Sequence, residues 1–235
     1  MNDLNLAFYT YFFGTNDNPA FAIPIIPSLK YKCYYYTNNK NIIEKLKNTN
    51  WISIYIEKEF NDDIYEPNMF GKHLKTMPHK YEEIKDYDYL CFLDSKLAKL
   101  DEDYIEDVIK NNFINDNKAL IIRNHNGDVN NNIWSELCLS TYQPRYFNER
   151  YKYIKYIRKY ISLGCLEKTE NHCITGFLIR NMKHKKIIEL NSTWYKHIQE
   201  CGIQCQISFF FIKQMFNDCI LPISKNPFKD TELNP

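Results

Sequence analysis

The chain has 235 residues, 44% of them hydrophobic and 25% charged, with a net charge of +1. That length and apolar share suit one domain with a sizeable core. The near-neutral charge excludes a global field that would draw in nucleic acid or an acidic membrane surface, and the longest strongly apolar run, Ile207 to Ile212, is far too short to span a bilayer.

The N-terminus shows no basic segment followed by an apolar stretch and a small-residue cleavage site, so a cytoplasmic setting is expected. The eight cysteines form no CxxC pair. They read as free thiols in a reducing compartment, not as a disulfide frame or a zinc site. Cys201 and Cys205 are four apart and would share a helix face, where packing is the expected role.

In chain order, Leu4 to Phe13 reads as a first strand, closed by turn residues from Gly14 to Pro19. Tyr31 to Tyr36 is a second strand, Asn41 to Lys47 a short amphipathic helix, and Trp51 to Ile56 a third strand. This order begins a doubly wound α/β sheet of the kind that binds a nucleotide. No GxGxxG follows the first strand, which counts against a dinucleotide site, and no GxxxxGK[ST] occurs, which excludes a P-loop.

A helix over Asn68 to Lys80 would place Lys72, Lys75 and His79 on one face. Such a face suits a diphosphate, or is simply solvated. Leu90 to Leu93 is an unbroken apolar run that ends at Asp94, as in a strand buried on both faces. Asp94 is then either a ligand-facing carboxylate at a strand end or the first residue of a turn.

Further helices are expected over Asp101 to Asn112, Ile133 to Leu139, Glu149 to Ser162, Thr193 to Glu200 and Gln204 to Phe216. Further strands are expected over Lys118 to Ile122 and Cys173 to Ile179, with Gly176 marking a bulge or a close backbone approach. His125 follows the first of these strands and becomes a candidate ligand if it lands near Asp94. The basic and aromatic residues of Glu149 to Ser162 would fit an amphipathic helix on a core, a membrane surface or nucleic acid. Pro222 and Pro227 are expected to break structure, and the expected organisation is a single domain over 1–224 and a loose tail over 225–235.

Five blocks, in order, resemble one family. They are Tyr9-Thr10-Tyr11-Phe12-Phe13-Gly14, Tyr36-Thr37-Asn38, Lys75-Thr76-Met77-Pro78-His79-Lys80 followed by Tyr87 to Leu97, Ile174 to Arg180, and Gln204 to Phe209. The third is the most specific: it is similar to a K-x-x-P-H plus Y-D-Y-S-x-W-x-D-x-K-L pattern almost position for position. Together they resemble the TOD1/MUCI70-like (DUF616) glycosyltransferases. The resemblance departs from the family pattern at Asn38, Ile174, Gln204 and Cys205; Cys205 stands where the family has an Asp.

The resemblance implies a GT-A-like fold with a mixed, mostly parallel central sheet flanked by helices. It implies transfer of a sugar from a nucleotide-sugar donor to a hydroxyl of a glycan or glycoconjugate acceptor, with no nucleic acid and no membrane span. Donor binding would fall to Thr10, Phe13, Gly14, Asn38, Lys72, Lys75, His79, Asp94, Ser95 and Lys96. Asp94 would hold Mn²⁺ or Mg²⁺, or the donor ribose or sugar; Lys96 stands where a second Asp is usual and could share the diphosphate with Lys72, Lys75 and His79. The acceptor would meet His125, Thr175, Gly176 and Trp194, and the catalytic set would be Asp94, Glu136 and Gln206. The base would be Glu136 or His172, or the reaction would need none. The alternative is a non-catalytic nucleotide- or glycan-binding module that acts through partners.

Overall fold

The computed structural model describes residues 4–14, 24–60, 64–94, 100–125 and 131–228. Its centre is a seven-stranded sheet made of β1 (Leu6–Phe12), β2 (Lys32–Thr37), β3 (Trp51–Tyr55), β4 (Tyr89–Leu93), β5 (Leu120–Asn124), β6 (Cys173–Asn181) and β7 (Ile220–Ile223). The strand order is β3-β2-β1-β4-β6-β5-β7. All neighbours are parallel except β6, which runs antiparallel to both β4 and β5. The expected α/β class and mixed, mostly parallel sheet are therefore what the chain builds.

Both faces of the sheet are covered, which is why the central strands read as apolar runs. One face carries Tyr9, Tyr36, Leu90, Phe92, Ile122 and Leu178 under the helices α2 (Tyr65–Thr76), α7 (Ile187–Cys201) and α8 (Cys205–Met215). The other carries Phe8, Tyr35, Cys91, Leu93, Ile121 and Ile179 under α1 (Lys40–Leu46) and α3 (Glu102–Ile109). A third apolar cluster joins α8 to α4 (Ile133–Ser140), α5 (Pro144–Phe147) and α6 (Arg150–Ser162) through Ile133, Tyr146, Tyr153, Ile157, Ile207 and Phe211. The inner face of α6 thus rests on core, as an amphipathic helix should.

Local chemistry fixes several helix starts. The side chains of Asn39, Asp101, Asn132 and Gln204 accept hydrogen bonds from the first backbone N–H groups of α1, α3, α4 and α8.

Four expectations change. The helix expected to reach Lys80 stops at Thr76, because Met77 precedes Pro78 and leaves the helical region (φ −118, ψ 46); a 3₁₀ turn, Pro78–Lys80, follows. Cys201 and Cys205 do not share a helix: Cys201 closes α7, Cys205 opens α8, and Gly202 at φ +119 turns the chain between them. Pro222 sits inside β7 without breaking it, as an edge strand allows. Residues 225–228, expected to be loose, are tied to the start of α3, with Asp101 N donating to Pro227 O at 2.9 Å and Leu100 bridging Phe228; 229–235 lie outside the described residues. Among the described residues, no helix is long and apolar enough to cross a membrane.

Candidate active site

The reversed direction of β6 creates the site. Because β6 runs against its neighbours, its first residues meet the last residues of β4: Leu93 pairs with Phe177, and Asp94 N donates to Gly176 O at 2.9 Å. On the other side the ladder with β5 slips, Ile122 facing Leu178 and Arg123 facing Ile174, so residues 175–177 bulge. The bulge and the close approach expected at Gly176 are both present, and the approaching group is the Asp94 side chain. A Cβ on Gly176 would lie 2.8 Å from Asp94 Oδ2. Asp94 is exposed, and its carboxylate has no hydrogen-bond partner among the described residues.

Three cavities follow this edge of the sheet. The first, about 480 Å³, lies over the ends of β1, β2 and β3 and is lined by Gly14, Asn38, Lys40, Tyr55, Lys58 and Phe60, among others. The second, about 320 Å³, is bordered by Thr10, Phe13, Phe92, Lys72, Asp94 and Arg145. The third, about 230 Å³, gathers Lys72, Lys75, Asp94, His125, Glu136, Thr175, Cys205 and Gln206. The second and third share Lys72, Asp94 and Tyr146, so Asp94 stands at their junction.

Asn38 stitches the first cavity together. Its Nδ2 donates to Gly14 O at 2.9 Å and to Lys58 O at 3.1 Å, while its Oδ1 accepts from Gly14 N at 3.2 Å. A carboxylate at this position could not donate, so these bonds require the amide.

Position on α2 separates the lysines. Lys75 is 1% exposed, and its Nζ donates to Thr175 Oγ1 at 3.2 Å and Cys205 Sγ at 3.4 Å. Burial lowers its pKa. Lys72, one turn earlier, is half-buried and borders two of the cavities. Burial disfavours its charge, but Cys205, Tyr11, Tyr146 and Asp94 more than offset this and hold its pKa up. The end of α2 is fixed by the fully buried Arg180 of β6, whose Nη1 donates to Tyr9 OH at 2.9 Å; that hydroxyl in turn donates to Lys75 O at 3.0 Å.

Glu136, on α4 and 3% exposed, is saturated. Its Oε1 accepts from Ser140 Oγ at 2.8 Å, Gln206 Nε2 at 3.1 Å and Gln204 Nε2 at 3.2 Å, and its Oε2 faces His172 Nε2 at 2.9 Å. A carboxylate held by this many donors is built to orient Gln206 and His172. His172 lies behind it, 2% exposed.

The site thus assembles Thr10, Phe13, Gly14, Asn38, Lys72, Lys75, Asp94, His125, Glu136, Thr175, Gly176 and Gln206 along one edge. Two expected members do not join them. His79 sits on the 3₁₀ turn beyond the end of α2 and borders none of the three cavities; burial and the nearby Lys80 lower its pKa. Trp194 is fully buried against Phe209 and donates to Ser208 Oγ at 3.2 Å, so it offers no face to an acceptor. Ser95 and Lys96 lie outside the described residues. Cys205, Arg145 and Tyr146 were missed as lining residues. The position of Cys205 in the fifth block was a signal for it; a four-residue helix brings in the other two, and no motif marks it.

Among the described residues, no three His, Cys, Asp or Glu side chains converge as metal ligands. Asp94 borders its cavities with Lys72 and Lys75, a donor set that does not by itself fit a divalent cation.

No protein-family model matches the chain. No curated protein matches it either. Among solved structures, it is similar to the apo bifunctional glycosyltransferase WbbM, with 9% identity and a TM-score of 0.49, over 94% of this chain but only 39% of that one. It is similar to mouse xyloside xylosyltransferase 1 in its apo form, with 10% identity and a TM-score of 0.47, over 93% of this chain and 84% of that one. It is similar to core-mannan synthase A of Aspergillus fumigatus in an Mn/GDP form, with 10% identity and a TM-score of 0.46, over 94% of this chain and 73% of that one. All three likenesses fall below a TM-score of 0.5, too distant to assign this chain an activity.

Proposed function

We propose that this chain is a GT-A-like glycosyltransferase that moves a sugar from a nucleotide-sugar donor to a hydroxyl of a glycan or glycoconjugate. The observation that carries this reading is the place of Asp94. It is an exposed carboxylate at a strand end, beside Lys72, at the junction of two cavities. The close match of the block around it to the DUF616 pattern supports the same reading.

The nucleoside of the donor would occupy the cavity over Gly14, Asn38 and Tyr55, where aromatic and amide groups can stack on and hydrogen-bond a base. The diphosphate would lie past Thr10 towards Lys72, which borders both cavities and would meet the negative charge that grows there as the glycosidic bond breaks. The acceptor would enter the third cavity, where Gln206, positioned by Glu136, and His125 can hold its hydroxyl groups. Asp94 would face the attacking hydroxyl and the anomeric carbon. Glu136, with both oxygens engaged, is a positioning residue in this reading and not the base. Eight free cysteines, six of them buried, support a reducing, cytoplasmic setting.

The test is thermal unfolding with nucleoside diphosphates and nucleotide sugars, followed by sugar release or transfer. Ligand at about 100 times Kd adds about 2.7 kcal/mol, or roughly 5–10 °C for a chain of this size. Asp94→Asn should keep the fold, lose at least about 100-fold in sugar transfer, and retain much of the diphosphate shift. No shift with any nucleotide would refute the reading and leave a glycan-binding module.

A further inference from the structure

We propose that Cys205 is a reactive thiolate, paired with the Lys75 ammonium inside the third cavity, and that it is a modification site for small uncharged electrophiles. The argument starts from Lys75. An ammonium 1% exposed must be paired or lose its proton. Its hydrogen-bond partners are the Thr175 hydroxyl and the Cys205 sulfur, and among the described residues it has no others. Of these two, only the sulfur can carry charge near neutral pH.

The sulfur is set up for that charge three ways. It accepts from Lys75, it lies 3.2 Å from Thr175 Oγ1, and it belongs to the first residue of the eleven-residue α8, where the helix dipole favours an anion. Facing it from the other elements are Lys72 of α2, Asp94 at the end of β4, Glu136 of α4, Tyr146 of α5 and His125 at the end of β5. Burial pushes the thiol up, and Lys72, Lys75 and Thr175 outweigh both burial and the opposing Asp94, so the balance falls on the lowered side.

The surroundings are those of a ligand site. The adjoining cavity shares Lys72 and Asp94 and is lined by Thr10, 1% exposed, whose hydroxyl has no partner among the described residues. Modification would therefore take effect where ligands bind. It would remove the anion beside Lys75 and fill a cavity of about 230 Å³.

Iodoacetamide is the probe. The thiolate sulfur attacks its methylene carbon, a C–S bond forms, and iodide leaves with the C–I bonding pair. Labelling of the native chain is followed against pH by peptide mapping, with exposed Cys138 as the internal reference. The expected result is a labelling midpoint for Cys205 at least about one pH unit below that of Cys138, which corresponds to roughly tenfold more thiolate at neutral pH. Lys75→Met should raise the Cys205 midpoint above that of Cys138. Should that variant fail to fold, the half-buried Lys72→Met should still move the Cys205 midpoint upward while leaving Cys138 in place. A Cys205 midpoint at or above that of Cys138, or no labelling of Cys205 in the folded chain, overturns the proposal. The readout uses no nucleotide or sugar, so it stands or falls separately from the transferase reading.

Discussion

Gly71 lies in the middle of α2, where glycine is unfavourable by about 1 kcal/mol relative to alanine. Propensity alone therefore says that Gly71→Ala stabilises the chain. The structure says the opposite. A Cβ at position 71 would lie 2.1 Å from Tyr11 Cε2 and 2.6 Å from Cζ. Ordinary contact begins at about 3.4 Å, so the ring or the helix must move by more than 1 Å. The ring has little room: it stacks on Phe13 at 5.4 Å between centroids and leans on Phe92 at 5.8 Å. Overpacking of this kind costs about 1–3 kcal/mol, with larger values for large displacements. Set against the helix gain, the net loss is up to about 2 kcal/mol, or up to roughly 8 °C in Tm. Thermal and urea unfolding of wild type, Gly71→Ala, Tyr11→Ala and the double variant would measure it. The cycle should show that removing the ring converts the alanine from destabilising to stabilising by about 1 kcal/mol. A single variant that melts higher than wild type would refute the reasoning, since it would show that α2 and β1 have slack between them.

Two further outcomes follow from the same geometry. Gly176→Ala should cost less than about 1 kcal/mol in stability, because Asp94 Oδ2 is the free end of a short side chain; but the carboxylate must move by about 0.6 Å, so sugar transfer should fall by about 10- to 100-fold. Unchanged transfer would mean that the aim of Asp94 does not matter. His197, 8% exposed and bonded to Tyr156 OH at 2.6 Å, has its pKa lowered to about 4 by burial. Its folded-state pKa lies below the unfolded one, so its stabilising contribution is complete above about pH 6.5 and fades as pH falls towards 4, a loss of about 3 kcal/mol. His197→Gln should remove that part of the slope in urea titrations between pH 7 and pH 4, and an unaltered slope would rule out His197 as its source.

The strands and the strand-end carboxylate were legible because burial on both faces leaves an unbroken apolar run, and Leu90 to Leu93 before Asp94 is such a run. The reversal of β6 was not legible, since strand direction is a property of pairing and leaves no mark on Cys173 to Asn181. That reversal decides the neighbours of Asp94, so Thr175 and Gly176 could be matched by motif but not explained. The departure of His79 from the α2 stripe has a readable cause: Pro78 precedes it and ends the helix. The burial of Trp194 has none, because a tryptophan at helical spacing looks the same whether it lines a cavity or, as here, fills the core. Cys205 was read as a departure from a pattern, and only the arrival of Lys75 from 130 residues away gives its sulfur a charge to answer.

The placement of β6 also bears on how the chain is made. The first four strands, through Leu93, can pair among themselves, but they leave β4 as an open edge until β6 is synthesised some 80 residues later. During that interval a ribosome-bound chain exposes a fully apolar strand that is ready to pair with any other extended segment. Closing the edge and building the third cavity are linked, because the strand that caps β4 also brings Thr175 and Gly176 to Asp94. A nascent chain stalled before Cys173 would therefore carry a sheet, an aggregation hazard and a third cavity without Thr175 or Cys205.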